Sequence, residues 1–211
     1  MNIIPQTYEA HYMQQVLQEN FLTENNGWEI THKPEERAFI MNRHYWMENL
    51  TASRWMYYKK KMPFKKNENW TLQTEIELLS KEEHGHFGLV WGFDQEFDRL
   101  NRFTVSADGE RGLVMHFQKD HHWVKHRYQK TFSSPLSTKK VHLTILKMED
   151  YFYFLVNRKM MYMCERSNFA DMGPYFGYYV EPGLFIRSSQ ISLERIIITE
   201  SPKEDFEALY F

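Results

Sequence analysis

The side chains best suited to chemistry lie between residues 98 and 127 and combine an indole, imidazoles, carboxylates and guanidinium groups. Trp123 stands close to His121 and Arg127 in one predicted strand, and Arg102 precedes them in another. A sugar ring stacks its apolar face on an aromatic ring while planar polar groups bind its hydroxyls. This combination predicts a ligand-binding site. Its predicted members are Trp123, His121, Arg102, Asp98, Asn101 and Arg127.

A second aromatic group lies near the N-terminal strands and consists of Tyr45, Trp46, Trp55 and Tyr57. Aromatic rings are also favoured on the pleated surfaces that pack inside a β-sandwich. The rings of both groups could therefore belong to the core instead of a binding surface.

The carboxylates of this chain do not form a recognisable hydrolytic pair. Enzymes that cleave glycosidic bonds with retention hold two carboxyl groups about 5–5.5 Å apart. The nearest candidates are Glu75 and Glu77, which strand geometry places on one face about 7 Å apart. An alternating pattern of this kind is typical of a solvent-exposed strand face. We therefore predict no catalytic residue. Cys164 follows an apolar strand, which predicts a small buried side chain and not a nucleophile.

Metal binding is not supported by the spacing of the ligand-type residues. His121 and His122 are adjacent and would point to opposite faces of a strand, so no zinc site is predicted. Asp94, Glu96 and Asp98 alternate in an acidic loop that we consider for calcium. A calcium loop needs a glycine soon afterwards, and Arg99 stands there instead. No cofactor is predicted, and calcium is kept as an alternative to a simple solvated loop.

Composition and charge exclude several classes of partner. The formal net charge is −2, from 26 basic and 28 acidic residues, so no overall field favours nucleic acid or an anionic membrane. One cysteine excludes an intrachain disulfide. The first twenty residues lack the basic and apolar regions of a secretory signal, and no apolar run reaches the length of a membrane span. The sequence predicts a cytoplasmic protein.

The elements that must position these residues are predominantly β-strands. In residues 86–93 both alternating faces are small or apolar, which predicts a central strand covered on both sides. Phe103 and Val105 alternate with polar residues and predict a half-buried strand, which an Asp108-Gly109 turn connects to the next one. In all, about thirteen to fifteen strands are predicted, with turns every ~8–12 residues. Asn157-Arg158 predicts one further hairpin turn.

The two ends of the chain depart from the strand pattern. Apolar residues recur at helical spacing between residues 6 and 19, which predicts a short amphipathic helix. Residues 201–211 end in an apolar cluster that includes Phe206 and Phe211. We therefore divide the chain into a helical arm (1–20), a β-sandwich (21–200) and a C-terminal tail (201–211).

Six segments together resemble a known superfamily. They are the entry at residues 20–28, the central segment 88–92 (GLVWG), the segment 102–109 (RFTVSADG), the pair 143–145 and 152–157, and the segment 176–180 (FGYYV). Their order resembles the concanavalin A-like jelly-roll superfamily, specifically the LamG-like or laminarinase-like domains of bacterial proteins. The likeness covers roughly residues 20–198. It implies an all-β, two-sheet antiparallel jelly-roll β-sandwich, here preceded by a short N-terminal helix.

The resemblance implies several functions, because this superfamily contains lectins, glycoside hydrolases, polysaccharide lyases and protein-binding modules. Laminarinase-like enzymes hold their carboxylates in a Glu-x-Asp-x-x-Glu string, which does not occur here. We therefore predict a non-catalytic binding module whose partner is a glycan. A protein-interaction or self-association domain built on the two chain ends is the alternative, and a hydrolase or lyase is a third reading. The sequence leaves the oligomeric state open.

Overall fold

The computed structural model describes residues 13–22, 27–52, 56–61, 68–80, 84–94, 99–118, 123–169 and 173–196. In these ranges the chain forms fifteen β-strands and one short 3-10 helix (Arg166–Asn168). The strands are β1 (Met13–Glu19), β2 (Thr31–Lys33), β3 (Glu36–Met41), β4 (His44–Asn49), β5 (Met56–Lys61), β6 (Asn69–Leu78), β7 (His86–Asp94), β8 (Arg99–Ser106), β9 (Arg111–Gln118), β10 (Trp123–Thr131), β11 (Val141–Met148), β12 (Tyr151–Val156), β13 (Lys159–Glu165), β14 (Tyr175–Val180) and β15 (Phe185–Ile196).

These described strands form two antiparallel sheets. The nine-stranded sheet has the order β13-β12-β11-β6-β15-β4-β3-β2, and β1 pairs with the second half of β15. The six-stranded sheet has the order β10-β9-β8-β7-β14-β5. The two-sheet antiparallel β-sandwich predicted from the sequence is thereby confirmed.

The core lies between the two sheets and is built from alternate residues of each strand. Val141, Leu143 and Ile145 of β11 point inward and are fully buried, while the residues between them are only partly buried. Trp91 of β7 meets the rings of Phe152 and Phe154 from the opposite sheet, with centroid distances of 5.9 and 5.4 Å. Each sheet consequently has an outer face that points away from the core, and these two faces are where a ligand could be bound.

Buried hydroxyl groups connect the two sheets inside this apolar core. The Tyr178 hydroxyl of β14 donates to Ser188 Oγ of β15 at 2.7 Å, and Thr74 Oγ1 of β6 lies 3.0 Å from the same Ser188 oxygen. Burial raises the pKa of Tyr178, so its hydroxyl stays protonated and able to donate. Because an unpaired buried hydroxyl is costly, these contacts fix how the sheets lie on one another.

Several predictions of local structure are confirmed. Every residue of β7 from Phe87 to Phe93 is buried, as expected of a strand covered on both sides. Gly109 has a φ of 73° in the β8–β9 turn. Asn157 and Arg158 have φ values of 49° and 64°, the left-handed conformation that a two-residue type I′ hairpin turn requires. Cys164 is buried, and burial raises the pKa of its thiol to about 11.

The predicted N-terminal helix is wrong for the part of it that the structure describes. Met13–Glu19 form strand β1, which pairs with Ile191–Ile196 of β15. A bulge between Gln15 and Leu17 interrupts the strict alternation of this strand, and the resulting spacing imitates a helix. Pairing satisfies backbone groups of β15 that would otherwise form an open edge. Residues 1–12 and 197–211 lie outside the described residues, so the arm and tail boundaries stay predictions.

Candidate functional site

The predicted site residues of β8 point in opposite directions. Arg102 lies on the outer face of the six-stranded sheet, whereas the neighbouring Asn101 points into the core and is 1% exposed. The Asn101 amide donates to the Trp91 carbonyl oxygen at 3.2 Å, and its Oδ1 lies 2.6 Å from His116 Nδ1. The structure therefore separates Asn101 from Arg102 and gives Asn101 and His116 buried partners within the fold.

Arg102 is the centre of a charged cluster, which we define as His86, Arg102, Tyr179 and Glu181. Its Nη1 donates to Glu181 Oε1 at 3.0 Å, and the Tyr179 hydroxyl donates to the same oxygen at 3.0 Å. His86 Nδ1 lies 3.3 Å from the second oxygen, Oε2. The guanidinium group also hydrogen-bonds the Tyr179 hydroxyl and lies 4.7 Å from the centre of that ring.

Strand register explains why these four residues meet. β7 pairs with both β8 and β14, so residues from three strands share one stretch of the outer face. Gly88 of β7 stands directly between Thr104 and Tyr179, and a Cβ there would lie only 2.3 Å from the Phe103 carbonyl oxygen, so a glycine permits this close pairing. His86 is two positions earlier on β7, and Glu181 is two positions beyond Tyr179. Alternation places both on the same face, at one end of the sheet.

The electrostatics of the charged cluster hold one carboxylate in its ionised form. Burial alone would raise the pKa of Glu181, but the hydrogen bond and charge of His86, together with Arg102, outweigh it and lower that pKa. Burial raises the pKa of Tyr179, so its phenol remains a hydrogen-bond donor. The side chains of Arg102 and Glu181 are still 14% and 21% exposed. An arrangement of this kind can accept hydrogen bonds from hydroxyl groups of a ligand, and it is a poor proton donor at neutral pH.

Arg127 of β10 lies on the same outer face as Arg102 of β8, with β9 between the two strands. Met115 of β9 is paired with Arg102 on one side and with Arg127 of β10 on the other. Directly opposite residues share a face of a sheet, so the two guanidinium groups flank the Met115 side chain. Arg127 is exposed and donates to the Gln129 side chain at 3.3 Å. Of the predicted residues, the structure thus brings Arg102 and Arg127 to one face.

The other three predicted residues are placed less completely. Trp123 is the first residue of β10, which puts its backbone on the same edge strand as Arg127, and its side chain lies outside the described set. His121 and Asp98 lie outside the described residues altogether. Their membership of the site stays a prediction.

The floor of this outer face is apolar and buried. Val90, Phe93 and Leu100 are at most 1% exposed, although they face away from the core and form a separate cluster with Tyr179. Lys59 of the edge strand β5 lies over Phe93, 4.9 Å from the ring centre. Among the described side chains of this face, those that are at least partly accessible include His86, Arg102 and Glu181 of the charged cluster and Arg127 of β10.

The outer face of the nine-stranded sheet carries the carboxylates that the sequence offered as a hydrolytic pair. Glu77 accepts two hydrogen bonds from Arg187, at 2.6 and 2.7 Å. Glu75 lies 2.9 Å from Lys140 Nζ and 3.0 Å from His142 Nε2. Glu77 is thus paired with Arg187 of β15, and Glu75 with Lys140 and the His142 imidazole, which is the exposed-face arrangement that the alternation predicted.

The second predicted aromatic group divides between the core and this same outer face. Tyr45 is fully buried in the core. Trp46 points outward, parallel to Phe39 with an interplanar angle of 5° and a centroid distance of 6.1 Å, and Arg187 lies 5.1 Å from its ring. Trp55 lies outside the described residues, and nothing is described of the Tyr57 side chain. Cross-strand stacking of this kind stabilises the exposed side of a sheet.

Sequence reasoning did not assign Tyr179, Glu181 or His86 to the site. The alternation of residues 175–181 does place Tyr179 and Glu181 on one face, so their orientation was readable. Their meeting with Arg102 depends on β14 pairing with β7, and this non-consecutive pairing is not visible in the sequence.

Within the described ranges, no three His, Cys, Asp or Glu side chains converge as they would around a metal ion. The same part of the chain has no helix with the length and apolarity of a membrane span.

Comparison with solved structures shows what this fold is similar to. One is the catalytic domain of an endo-1,3-β-glucanase (laminarinase) from Thermotoga petrophila RKU-1, with 9% identity, a TM-score of 0.60, and coverage of 86% of this chain and 97% of that chain. Another is the CBM2 module of the evolved Dit of Lactobacillus casei BL23 phage J-1, with 10% identity, a TM-score of 0.57, and coverage of 90% and 99%. A third is a Bacillus subtilis protein with a galectin-like fold, with 7% identity, a TM-score of 0.62, and coverage of 88% and 98%.

These likenesses establish the fold of the chain. It is a two-sheet antiparallel jelly-roll β-sandwich, as the resemblance in the sequence implied. No family model matches the chain, and no curated protein matches it in sequence. At such low identities a shared fold does not carry an activity with it, so function has to be argued from the outer faces themselves.

Proposed function

We propose that this protein is a non-catalytic, glycan-binding module that uses the outer face of the six-stranded sheet. The names of two structures with the same fold, a β-glucanase and a CBM2 module, support a saccharide as the class of ligand. The finer placement among LamG-like or laminarinase-like bacterial domains, and a cytoplasmic location, belong to this proposal as well.

The observation that carries the proposal is the pairing of Glu181. A general acid in glycoside hydrolysis needs a raised pKa, so that it holds a proton at neutral pH. Arg102 and His86 do the opposite and keep the pKa of Glu181 low. A carboxylate that is ionised at neutral pH beside guanidinium, imidazole and phenol groups offers fixed donors and acceptors for sugar hydroxyls, which favours binding over cleavage.

The ligand in this proposal lies across the centre of the face and toward its β10 edge. Arg102 and Arg127 form hydrogen bonds to its hydroxyls. Ring contacts from Trp123 and His121 stay predictions from the sequence, since the register pairs Trp123 with Gln118 and Gln118 with Arg99, on the face opposite to Arg102. Asp98 enters the proposal from the sequence alone, as part of the acidic run Asp94, Glu96 and Asp98 that is also the candidate for calcium. Asn101 supports the site from the core side, through its hydrogen bonds to β7 and β9.

The test is a glycan array with purified protein, with and without added calcium, followed by titration of any hit. We expect Arg102→Ala to abolish binding or weaken it about tenfold or more, since it removes a main contact, and Trp123→Ala tests the ring contact predicted from the sequence. Arg37→Ala is the matched control, because Arg37 is also an outward arginine paired with a glutamate, but on the other sheet. A hit that survives both substitutions would contradict this site, and a blank array would contradict the function.

A protein-interaction or self-association module is the second candidate. Tyr151 and Met163 are 40% and 46% exposed at the β12–β13 edge of the nine-stranded sheet. Neighbouring apolar side chains at a sheet edge favour contact with another chain. The apolar tail that the sequence assigns to this role, residues 201–211, lies outside the described residues.

A further inference from the structure

A polar cavity of about 300 Å³ lies on the outer face of the nine-stranded sheet, on the side of the molecule opposite to the charged cluster. Outward side chains of β1, β6, β11 and β15 line it, and Arg158 reaches it from the β12–β13 turn. Its size is at the lower end of the range for small-molecule sites, which corresponds to a ligand of one or two sugar rings. None of the residues predicted as ligand contacts belongs to it.

The floor of this polar cavity is a row of four uncharged polar side chains. Thr144 of β11 stands opposite Gln73 of β6, Gln73 stands opposite Ser192 of β15, and Ser192 stands opposite Gln18 of β1. Directly opposite residues share a face, so hydroxyl and amide groups alternate across four strands. Each amide both donates and accepts hydrogen bonds, as does each sugar hydroxyl.

Two β-bulges adjoin the floor and set this region apart from an ordinary polar sheet face. One lies between Gln15 and Leu17 in β1, and the other lies between Ser188 and Gln190 in β15. A bulge bends its strand and re-aims a side chain, and bulges are frequent beside binding sites. Here Gln15 and Gln190 both end up lining the cavity. Contact with solvent is enough to explain a flat polar sheet face. A depression with amide groups on its walls can in addition enclose a ligand.

The charges of the lining favour a neutral ligand. Glu194 and Arg158 contribute one charge of each sign. His142 also lines the cavity, and its Nε2 lies 3.0 Å from the Glu75 carboxylate. In the described part of the lining Ile191 is the single aliphatic side chain, so an apolar peptide or a lipid would find little apolar surface there.

We propose that this polar cavity is a second, independent binding site for a neutral mono- or disaccharide. The amides of Gln18, Gln73 and Gln190 bind the sugar hydroxyls, and Thr144 and Ser192 form the floor beneath the ring. The site does not share a residue with the charged cluster and does not rest on the function proposed there.

The test uses protein labelled with ¹⁵N at the glutamine side chains, titrated with glucose, galactose, mannose, N-acetylglucosamine and cellobiose. We expect saturable shifts of the Gln18 and Gln73 side-chain amide signals with at least one of these sugars. Gln18→Leu and Gln73→Leu should each weaken that binding about tenfold, because each leaves hydroxyls of the bound sugar without partners. Gln14→Leu is the matched control and should bind as the wild type does, since Gln14 is an exposed glutamine of the same strand that does not line the cavity.

Three outcomes would overturn the proposal. They are the absence of saturable shifts with all of these sugars, unchanged affinity in both lining variants, and shifts that follow protein concentration and not sugar, which would assign the face to contact between copies. Arg102→Ala separates the two proposals. Persistence of the cavity shifts in that variant supports an independent site, whatever the glycan array shows, whereas their loss would overturn its independence.

Discussion

The outer face of the six-stranded sheet and that of the nine-stranded sheet differ in how they treat their polar groups. On the first, polar side chains are concentrated in one charged cluster above a floor whose members Val90 and Leu100 are buried. On the second, polar groups are spread over the sheet, as ion pairs such as Arg187–Glu77 and as a neutral row that includes Gln73 and Ser192 beside two bulged strands. The comparison shows that one shared core can support two surfaces with distinct chemistry.

The physical reason for this freedom is the pleat of the strands. Successive residues point to opposite sides, so inward positions can be optimised for packing while outward positions vary. Leu72 and Gln73 illustrate this on β6, since the first is fully buried in the core and the second is exposed in the polar cavity. Function in this fold is therefore decided on the outward half of the sequence.

The largest expected effect comes from a substitution in the core, which supports both outer faces. Trp91→Ala removes a fully buried ring that meets Phe154 and Phe169 at 5.4 Å, and we expect it to lower the free energy of unfolding by about 3–5 kcal/mol. Both faces should then lose their structure together in urea unfolding. Trp46→Ala, on the outer face of the nine-stranded sheet, is the control and should cost about 1 kcal/mol. Equal losses for the two tryptophans would contradict the assignment of core and face.

A smaller effect is expected from a substitution in the charged cluster, and it depends on pH. The pKa of Glu181 is lower in the folded protein than in the unfolded chain. The ion pairing of Glu181 therefore stabilises the fold fully at pH values above the unfolded-state pKa. This stabilisation is lost as the pH falls through the folded-state pKa. We expect Glu181→Gln to cost about 1–2 kcal/mol at neutral pH and to converge with the wild type in acid. Unfolding in urea from about pH 7 to about pH 3 measures this.

Arg102→Ala provides the check on that prediction. Removing the partner should reproduce much of the pH dependence of Glu181→Gln, and the double variant should lose less than the sum of the two. A stability difference that stays constant across the acid range would show that the Glu181 carboxylate is not held ionised by its neighbours.

The smallest effect is expected from the tail. Deleting residues 201–211 should leave glycan affinity unchanged, because both proposed sites are formed by strands that end at or before Ile196. Light scattering before and after the deletion measures the oligomeric mass at the same time. A change of mass with loss of a bound partner would favour the protein-interaction candidate instead.

Much of the fold was predictable because it follows from local alternation and turn chemistry. The apolar faces of β7, the Asp108-Gly109 turn and the Asn157-Arg158 turn are all as the sequence predicts. The failures come from irregular strands. The bulge after Gln15 in β1 imitates helical spacing, and the bulge after Ser188 makes one long strand, β15, look like two.

The candidate sites were predictable only in part, because they depend on strand order. Arg102 and Arg127 were identified by residue type and do share a face. Glu181 was missed because it meets Arg102 across strands far apart in sequence, and Gln18 meets Gln73 only through β15. Asn101 was grouped with Arg102 although adjacent residues of a strand point to opposite sides. The sequence therefore identified residues of the right type, but it did not identify the residues that they contact across strands.

The most direct test of the central claim is a calorimetric titration with the strongest glycan from the array, followed by mass spectrometry of the recovered glycan. The account predicts saturable binding that is lost in Arg102→Ala and kept in Arg37→Ala. It also predicts that the recovered glycan is intact. Shortened glycan products would contradict a non-catalytic module, and binding unaffected by Arg102→Ala would contradict the charged cluster as its site.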